Sequence, residues 1–403
     1  MKPLTLFVVA GEASGDLIGG RLMAALKRRA GDGIRFAGIG GERMAAEGLD
    51  SLFPMNELSL MGLFEVLPRA RHLLRRLRET AAEAERLAPD ALITIDSPGF
   101  TLRLAERLAG KGIPLIHVVA PQVWAWRPGR AVKIAGLLDH LLALLPFEPP
   151  YFTVHGLPTT FIGHPLVESG VADGDGERFR DAHGIDASAP LLCVLPGSRD
   201  AEVERLLPIF GQAMAGLRRA RPALAVAIPA ASAVADRIRS LVAAWPGGAV
   251  VVEGDAAKYD CFAAADLALA ASGTVTLELA LAGTPMVVAY RVNALTAMIA
   301  RRLVKLPHVA LVNVVLGYGA VPELIQEECR ADRLAAAMAA LLDDPRATEA
   351  QRRAFAKVGR AVGAGGPSPS ERAADAVLAA IGGGRSSAGQ GRSAGPDRRS
   401  AAK

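Results

Sequence analysis

Short apolar runs alternate with longer Ala/Leu/Arg stretches along most of the chain. The runs are LTLFVVA (4–10), RFAGIG (35–40), ALITID (91–96), PLIHVVA (114–120) and HLLALLPF (140–147), then LLCVLPG (191–197), LAVAIPA (224–230), AVVVEG (249–254), LALAAS (267–272) and PMVVAY (285–290). β-branched and aliphatic runs separated by helical stretches predict βαβ units on parallel sheets. The polar stretch VADGDGERFRDAHGIDASAP (171–190) interrupts the series and reads as the passage into a second α/β domain. The expected organisation is a first Rossmann-like domain over 1–170, a second over 171–342, and C-terminal helices over 343–382 that return to the first domain. A disordered, basic Gly/Ser/Arg tail follows over 383–403. Ser370 is the expected N-cap of the last helix. Ligands of open parallel sheets bind outside the carboxyl ends of the strands, so the junctions after the runs are where chemistry is to be sought.

Composition changes this picture little. A chain of 403 residues, 51% hydrophobic and 22% charged, has material for two cores. Its net charge of +5 is concentrated at the end, where five basic residues from Arg385 to Lys403 face only Asp397. The near-neutral body offers no footprint for nucleic acid. Cys193, Cys261 and Cys329 form no C-x-x-C pair, which argues against disulfides and zinc and fits a reducing compartment. No apolar run is long enough to span a bilayer. VVAGEASGDLIGG (8–20) lacks a clean cleavage site and reads as a first strand, turn and helix start rather than a secretory leader.

Four junctions carry candidate chemistry. In ASGTVTLELALAGTP (271–285), Ser272, Gly273 and Thr274 precede a helix whose free N–H groups suit an anion, and Glu278 lies one turn further on, able to accept from two ribose hydroxyls. Alternatively, Ser and Thr only cap the helix. In LPGSRDAEVE (195–204), Gly197 and Ser198 form a turn that presents Arg199 for bidentate phosphate contact, unless Arg199 simply pairs with Glu202. In ALITIDSPGF (91–100), Asp96 stands at a strand end as a candidate general base or as a helix cap. In HVVAPQVWAWRPGRA (117–131), Gln122, Trp124 and Trp126 suit a sugar or acyl surface, though buried tryptophans with satisfied N–H groups are the common alternative. Ser14, Gly15 and Asp16 of the first turn line the cleft or cap the first helix.

NELSLMGLFEVLPRARHLLRRLRE (56–79) differs in kind. Leu58, Leu60, Met61, Leu63 and Phe64 precede an arginine-rich helix carrying Arg71 and Arg75, the combination an interfacial membrane contact needs, or a core helix with a solvated basic face. No histidine spacing suggests a metal site, and neither a P-loop nor a G-x-G-x-x-G fingerprint is present.

The motifs VAGEASGD (9–16), GIGGERM (38–44), MGLFEVLP (61–68), DSPGF (96–100), PQVWAWRPGR (121–130), LPGSR (195–199), SGTVTLELAL (272–281) and VPELIQ (321–326) together resemble the lipid-A-disaccharide synthases, in order and over nearly all of residues 1–340. The resemblance implies a GT-B glycosyltransferase, two Rossmann-like domains facing a cleft, with no cofactor and no metal. It implies transfer of 2,3-diacylglucosamine from its UDP derivative to 2,3-diacylglucosamine 1-phosphate, giving the β-1,6 disaccharide 1-phosphate and UDP in lipid A biosynthesis. It further implies Asp96 as base, Arg199 as diphosphate ligand, Glu278 as ribose ligand, and the 58–67 patch as a contact with the inner-membrane surface of a cytoplasmic, peripherally associated protein. A homodimer is one arrangement open to such a chain. Rival readings are another UDP-sugar enzyme on the same architecture, such as a polyprenyl-linked N-acetylglucosaminyltransferase or a 2-epimerase, and a non-catalytic nucleotide-binding membrane protein.

Overall fold

The computed structural model describes residues 3–58, 63–126, 129–293, 298 and 307–388; side chains at 32, 63–70, 125, 126 and 383–388 lie outside the description. The chain divides into two compact units, Met1–Pro165 with Pro367–Lys403, and Leu166–Gly366.

The first unit is built on a six-stranded sheet, β1 (Leu4–Ala10), β2 (Ile34–Ile39), β3 (Ala91–Ile95), β4 (Leu115–Val118), β5 (His140–Ala143) and β6 (Thr159–Phe161), ordered β2-β1-β3-β4-β5-β6. Every pairing is parallel. Crossovers are made by α1 (Ala13–Ala30), α2 (Glu42–Ala46), α3 (Leu63–Leu87), α4 (Pro98–Leu108), α5 (Val123–Trp126), α6 (Arg130–Ala135) and α7 (Pro150–Thr153). Alternate residues of β1 serve opposite faces. Phe7 and Val9 join Phe100, Leu104 and Phe152 on one side, while Leu6, Val8 and Ala10 meet Leu22, Met23 and Leu26 of α1 on the other. This burial on both faces explains why the strands read as continuous apolar runs. Gly38 in β2 has φ +136°, and a Cβ there would lie 1.9 Å from the Val8 carbonyl oxygen, so only glycine lets β2 pair with β1 at this point.

The second unit repeats the plan. Its strands are β7 (Leu191–Leu195), β8 (Ala225–Ala230), β9 (Val250–Glu253), β10 (Leu267–Ala271), β11 (Met286–Tyr290) and β12 (Glu323–Ile325), in the order β12-β11-β10-β7-β8-β9. The helices are α8 (Gly176–Ala182), α9 (Asp200–Ala220), α10 (Ala235–Val242), α11 (Asp255–Ala264), α12 (Val275–Ala282), α13 (Leu311–Leu316), α14 (Ala331–Asp343) and α15 (Pro345–Ala361). Phe210 and Met214 of α9 pack with Leu334 and Met338 of α14 over one face of the sheet.

All ten predicted strands form, with ends trimmed by up to four residues. β6 and β12 escaped the pattern because three residues at a sheet edge carry too little periodicity. The 171–190 stretch is not a bare passage: α8 docks on α11, where the Arg178 guanidinium donates to Asp260 at 2.7 and 3.0 Å and the Asp175 amide donates to the same carboxylate at 2.8 Å. Paired charges thus anchor a polar segment that hydrophobicity alone cannot place. The two C-terminal helices separate. α15 packs on α12 and α13, whereas only the last helix, α16 (Pro369–Ala388), lies on α1, with Ala374 and Val377 in the core and Arg28 and Arg29 paired to Glu371 and Asp375. The side chain capping α16 belongs to Ser368, whose hydroxyl accepts from the Glu371 amide at 3.3 Å; Ser370 is already inside the helix. The helix also runs past residue 382 into the stretch expected to be disordered, since extending a packed helix is easier than nucleating one. No described helix is long and apolar enough to cross a membrane.

Candidate active site

In each sheet the strand order reverses at one place, the position where loops diverge and leave a crevice. In the first sheet it lies between β1 and β3, whose last residues, Ala10 and Ile95, are paired. The GEASGD turn therefore leaves beside the DSPGF turn. Gly11 is glycine for a local reason: a Cβ would sit 2.6 Å from the Ser97 hydroxyl.

Asp96 and Ser97 both adopt left-handed backbone, φ 51° and 44°, and Val119 at the end of the neighbouring β4 has φ 77°. Each such non-glycine residue costs on the order of 1–3 kcal/mol and persists only where its surroundings over-determine it. The surroundings here do so. The Asp96 amide donates to the Val118 carbonyl at 3.0 Å, and the Thr101 hydroxyl donates to the Asp96 carbonyl at 2.7 Å. Pro98 opens α4 and disfavours right-handed helical backbone at Ser97. The Ser97 side chain makes no capping bond to α4, and among the described residues the Asp96 carboxylate makes none either. The Ser97 Oγ is buried without a hydrogen-bond partner among the described residues.

Ser14 is exposed. Gly15 lets α1 approach the sheet, its Cβ position being 3.3 Å from Ala10 and 3.4 Å from the Ile95 carbonyl. Asp16 was expected to line the cleft or cap its own helix and does neither. It is buried, and its carboxylate accepts from the Gly41, Arg43 and Met44 amides at 2.7, 3.0 and 3.1 Å. It thus caps α2 from the adjoining α1 and holds the GIGGERM turn, which explains why GEASGD and GIGGERM occur together.

Beyond β4, Gln122 is exposed and Trp124 half-buried, while the Trp126 side chain lies outside the described residues. The Trp124 ring packs edge-on against Phe147 at 5.1 Å, and its indole N–H donates to Glu148 Oε1 at 3.3 Å. Glu148, which sequence reasoning missed, is buried, and its Oε2 accepts from the Leu144 and Leu145 amides at 3.1 and 2.9 Å. Burial raises this carboxyl to about 7 against the pull of those three donors. The signal available in the sequence was an acid inside LLALLPFEPP. His117 is fully buried in β4, with Nδ1 2.8 Å from the Thr94 hydroxyl, and burial lowers it to about 4, as it does His164. A neutral imidazole enclosed in the sheet is a poor alternative base to Asp96.

In the second sheet the reversal lies between β7 and β10, with Leu195 paired to Ala270. The two anion-binding candidates, Gly197–Arg199 and Ser272–Thr274, leave from these neighbouring strands. Gly197 has φ 111°, and Glu202 fills the space a Cβ would need. The Glu202 carboxylate accepts from the Ser198 amide at 3.2 Å and from Arg199 at 3.1 Å, with the Arg199 side chain 67% exposed. Arg199 is thus paired along the first helical turn, as the plainer reading had it, but it remains at the surface. Glu202, Arg199 and Arg205 also surround the half-buried Tyr290 phenol, which burial and Glu202 raise. The Ser272 hydroxyl donates to the Val309 carbonyl at 3.1 Å, Gly273 and Thr274 are exposed, and the Thr274 side chain makes no capping bond to α12. Glu278 accepts from the Lys258 ammonium at 3.1 Å, and Lys258 also reaches Asp255 at 2.9 Å.

The amphipathic segment is only partly visible. Leu58, expected at a membrane, is 8% exposed and packs with Phe53 and Leu77, so it belongs to the core. Leu60 and Met61 lie outside the described residues, as do the side chains of Leu63 and Phe64. Arg71, Leu74 and Arg75 are exposed on α3. Arg76 turns inward instead, bidentate to Glu57 at 2.7 and 2.8 Å and 4.4 Å from the Phe53 ring. Among the described residues no group of His, Cys, Asp and Glu is arranged for a metal.

The profile of a family described as lipid-A-disaccharide synthetase matches residues 6–375. A lipid-A-disaccharide synthase from Rhodospirillum centenum is 53% identical over 383 residues, covering 94% of this chain and 96% of its own. Among solved structures, a UDP-N-acetylglucosamine 2-epimerase described as putative from Listeria monocytogenes superposes with TM-score 0.63 at 12% identity, covering 96% of this chain and 97% of that one. A glycosyltransferase from Rickettsia africae gives TM-score 0.59 at 12% identity, with 94% and 98% covered. These structures share the GT-B fold; at such identity they carry nothing about the reaction.

Proposed function

The chain belongs to the lipid-A-disaccharide synthetase family, glycosyltransferases that make the lipid A disaccharide, and from that premise we propose how its residues share the reaction. The donor is UDP-2,3-diacylglucosamine and the acceptor 2,3-diacylglucosamine 1-phosphate. An α-linked donor and a β-1,6 product require one displacement with inversion and no enzyme nucleophile. Asp96 removes the proton of the acceptor 6-hydroxyl as its oxygen attacks the anomeric carbon, worth about 10²–10⁴ in rate. Negative charge then develops on the departing diphosphate. Arg199, released from an exposed pair with Glu202 that costs little to break, and the amides at the start of α12 stabilise that charge. Glu278 takes the ribose hydroxyls, with Lys258 retained as its counter-ion. The exposed arginines of α3, Arg71 and Arg75, attract anionic headgroups, so that a protein without a described membrane-spanning helix meets acylated substrates at the inner-membrane surface.

The observation supporting this reading most is the left-handed pair Asp96–Ser97 at the reversal of the first sheet, a strained backbone that holds a carboxylate away from any capping role. The test is UDP release from the acylated donor in detergent micelles, with and without acceptor, for the parent and Asp96→Asn. Release that depends on acceptor and vanishes in a folded Asp96→Asn supports the base. Release without acceptor points to hydrolysis, and full activity of Asp96→Asn removes Asp96 from the role.

A further inference from the structure

Glu148 is absent from the division of roles above, yet it is a buried carboxylate that accepts three hydrogen bonds. It follows β5, and its two oxygens are used differently. Oε2 accepts from two consecutive backbone amides, Leu144 and Leu145, and so fixes the turn at the carboxyl end of β5. Oε1 accepts a single bond from the Trp124 indole, on the segment that follows β4. One buried group thereby ties together the loops leaving two adjacent strands at the edge of the sheet where parallel folds bind ligands. Phe147, the preceding residue, supports the other end of the contact by packing edge-on against the same indole.

We propose that Glu148 is a positioning residue for the glycosyl-acceptor side of the reaction: its ionised carboxylate holds Trp124, and with it the exposed Gln122 loop, in the arrangement that receives the acceptor, and its protonation releases them. The assignment of this loop to the acceptor rests on the function proposed above.

The proton has a defined place to go. Protonating Oε2 would disrupt two amide bonds, whereas protonating Oε1 sacrifices one, so the hydrogen settles on Oε1 and meets the indole N–H head-on. No described charged side chain pairs with this carboxylate. From α5 it faces Trp124, and from the β5 turn the two amides. On α7, Tyr151 is exposed and bonds Glu148 only through its amide; on α6, Arg130 and Lys133 are exposed and Lys133 pairs with Glu106; His140 at the start of β5 bonds Thr160. Its ionisation is therefore set by burial against three hydrogen bonds, which places the transition near neutral pH.

The experiment follows tryptophan emission of the full-length protein from pH 5.5 to 8.5, with KM for acceptor and for donor measured across the same range, in the parent, Glu148→Gln, Trp124→Phe and the double variant. The parent should show an emission change centred near pH 7 that is missing from all three variants. Acceptor KM should rise about tenfold in the parent below that midpoint and at every pH in Glu148→Gln, the effect of losing one hydrogen bond to a charged group, with donor KM unchanged. The double variant should be no worse than either single one. Trp124→Phe leaves both amide bonds of Glu148 in place, so it reports the coupling even if Glu148→Gln folds poorly. An emission transition that persists in Trp124→Phe, or kinetics unchanged in both single variants, overturns the proposal. A lost transition accompanied by a raised donor KM instead keeps the Glu148–Trp124 coupling and overturns the placement of this loop on the acceptor side.

Discussion

The two sheets reverse strand order in the same way but equip the reversal differently. At the first, Asp96, Ser97 and Val119 take left-handed backbone without being glycine, and His117 and Glu148 are buried nearby with displaced ionisation. At the second, the tight turn after β7 is made by Gly197, and the charged groups, Arg199 with Glu202 and Lys258 with Glu278, are paired and at least partly exposed. Among the described residues of the second unit only Gln326 is non-glycine with positive φ. Strain and desolvation are what a proton-transfer site needs to hold one carboxylate in place. Helix starts and paired cations suffice for an anion that arrives with its own charge.

The largest effect is expected from Asp96→Asn, a loss of about 10²–10⁴ in turnover with donor binding intact. Arg199→Ala should lower kcat/KM for donor by about 10- to 100-fold, one or two charge-assisted bonds, while the melting temperature stays put because the side chain is largely exposed. Equal losses of stability from both variants would erase the distinction between the two reversals.

Acid should act on the first unit before the second. His117 and His164 are held at about 4, below the ordinary 6.5, so the folded chain refuses protons that the unfolded chain accepts. Their contribution is complete above pH 6.5 and is lost as pH falls toward 4. Glu148 works in the opposite sense: held at about 7, its contribution is full below the ordinary carboxylate range and is lost as pH rises through 7. Melting curves between pH 7.5 and 4.5 should therefore fall more steeply in Glu148→Gln than in the parent, and less steeply in His117→Gln. The smallest effect belongs to Lys258→Met. Breaking a partly exposed pair should cost under about 1 kcal/mol in stability and change donor KM only a few-fold, measured by denaturant unfolding and initial rates.

Continuous apolar runs located ten strands, and the residues after them, Asp96, Gly197–Arg199 and Ser272–Thr274, were singled out because strand-to-helix junctions have a recognisable local chemistry. Asp16 and Leu58 were misread for one shared reason: whether a polar residue faces a cleft or three amides of another turn, and whether a leucine faces lipid or Phe53, depends on chain far away in sequence. Glu148 was missed because its ionisation comes from burial, which no spacing encodes.

The type and order of the elements and the family's motifs were fixed locally, since these rest on periodicity and contacts within a few residues. Only the tertiary structure decided that β3 pairs with β1 and β10 with β7, bringing Gly11 beside Ser97 and starting the Gly197–Arg199 and Ser272–Thr274 turns from neighbouring strands. Only it decided, too, that Asp96 would be held in strained backbone. Adjacency across tens of residues, desolvation and backbone strain are properties of the packed whole, and they arise only when distant segments close on one another.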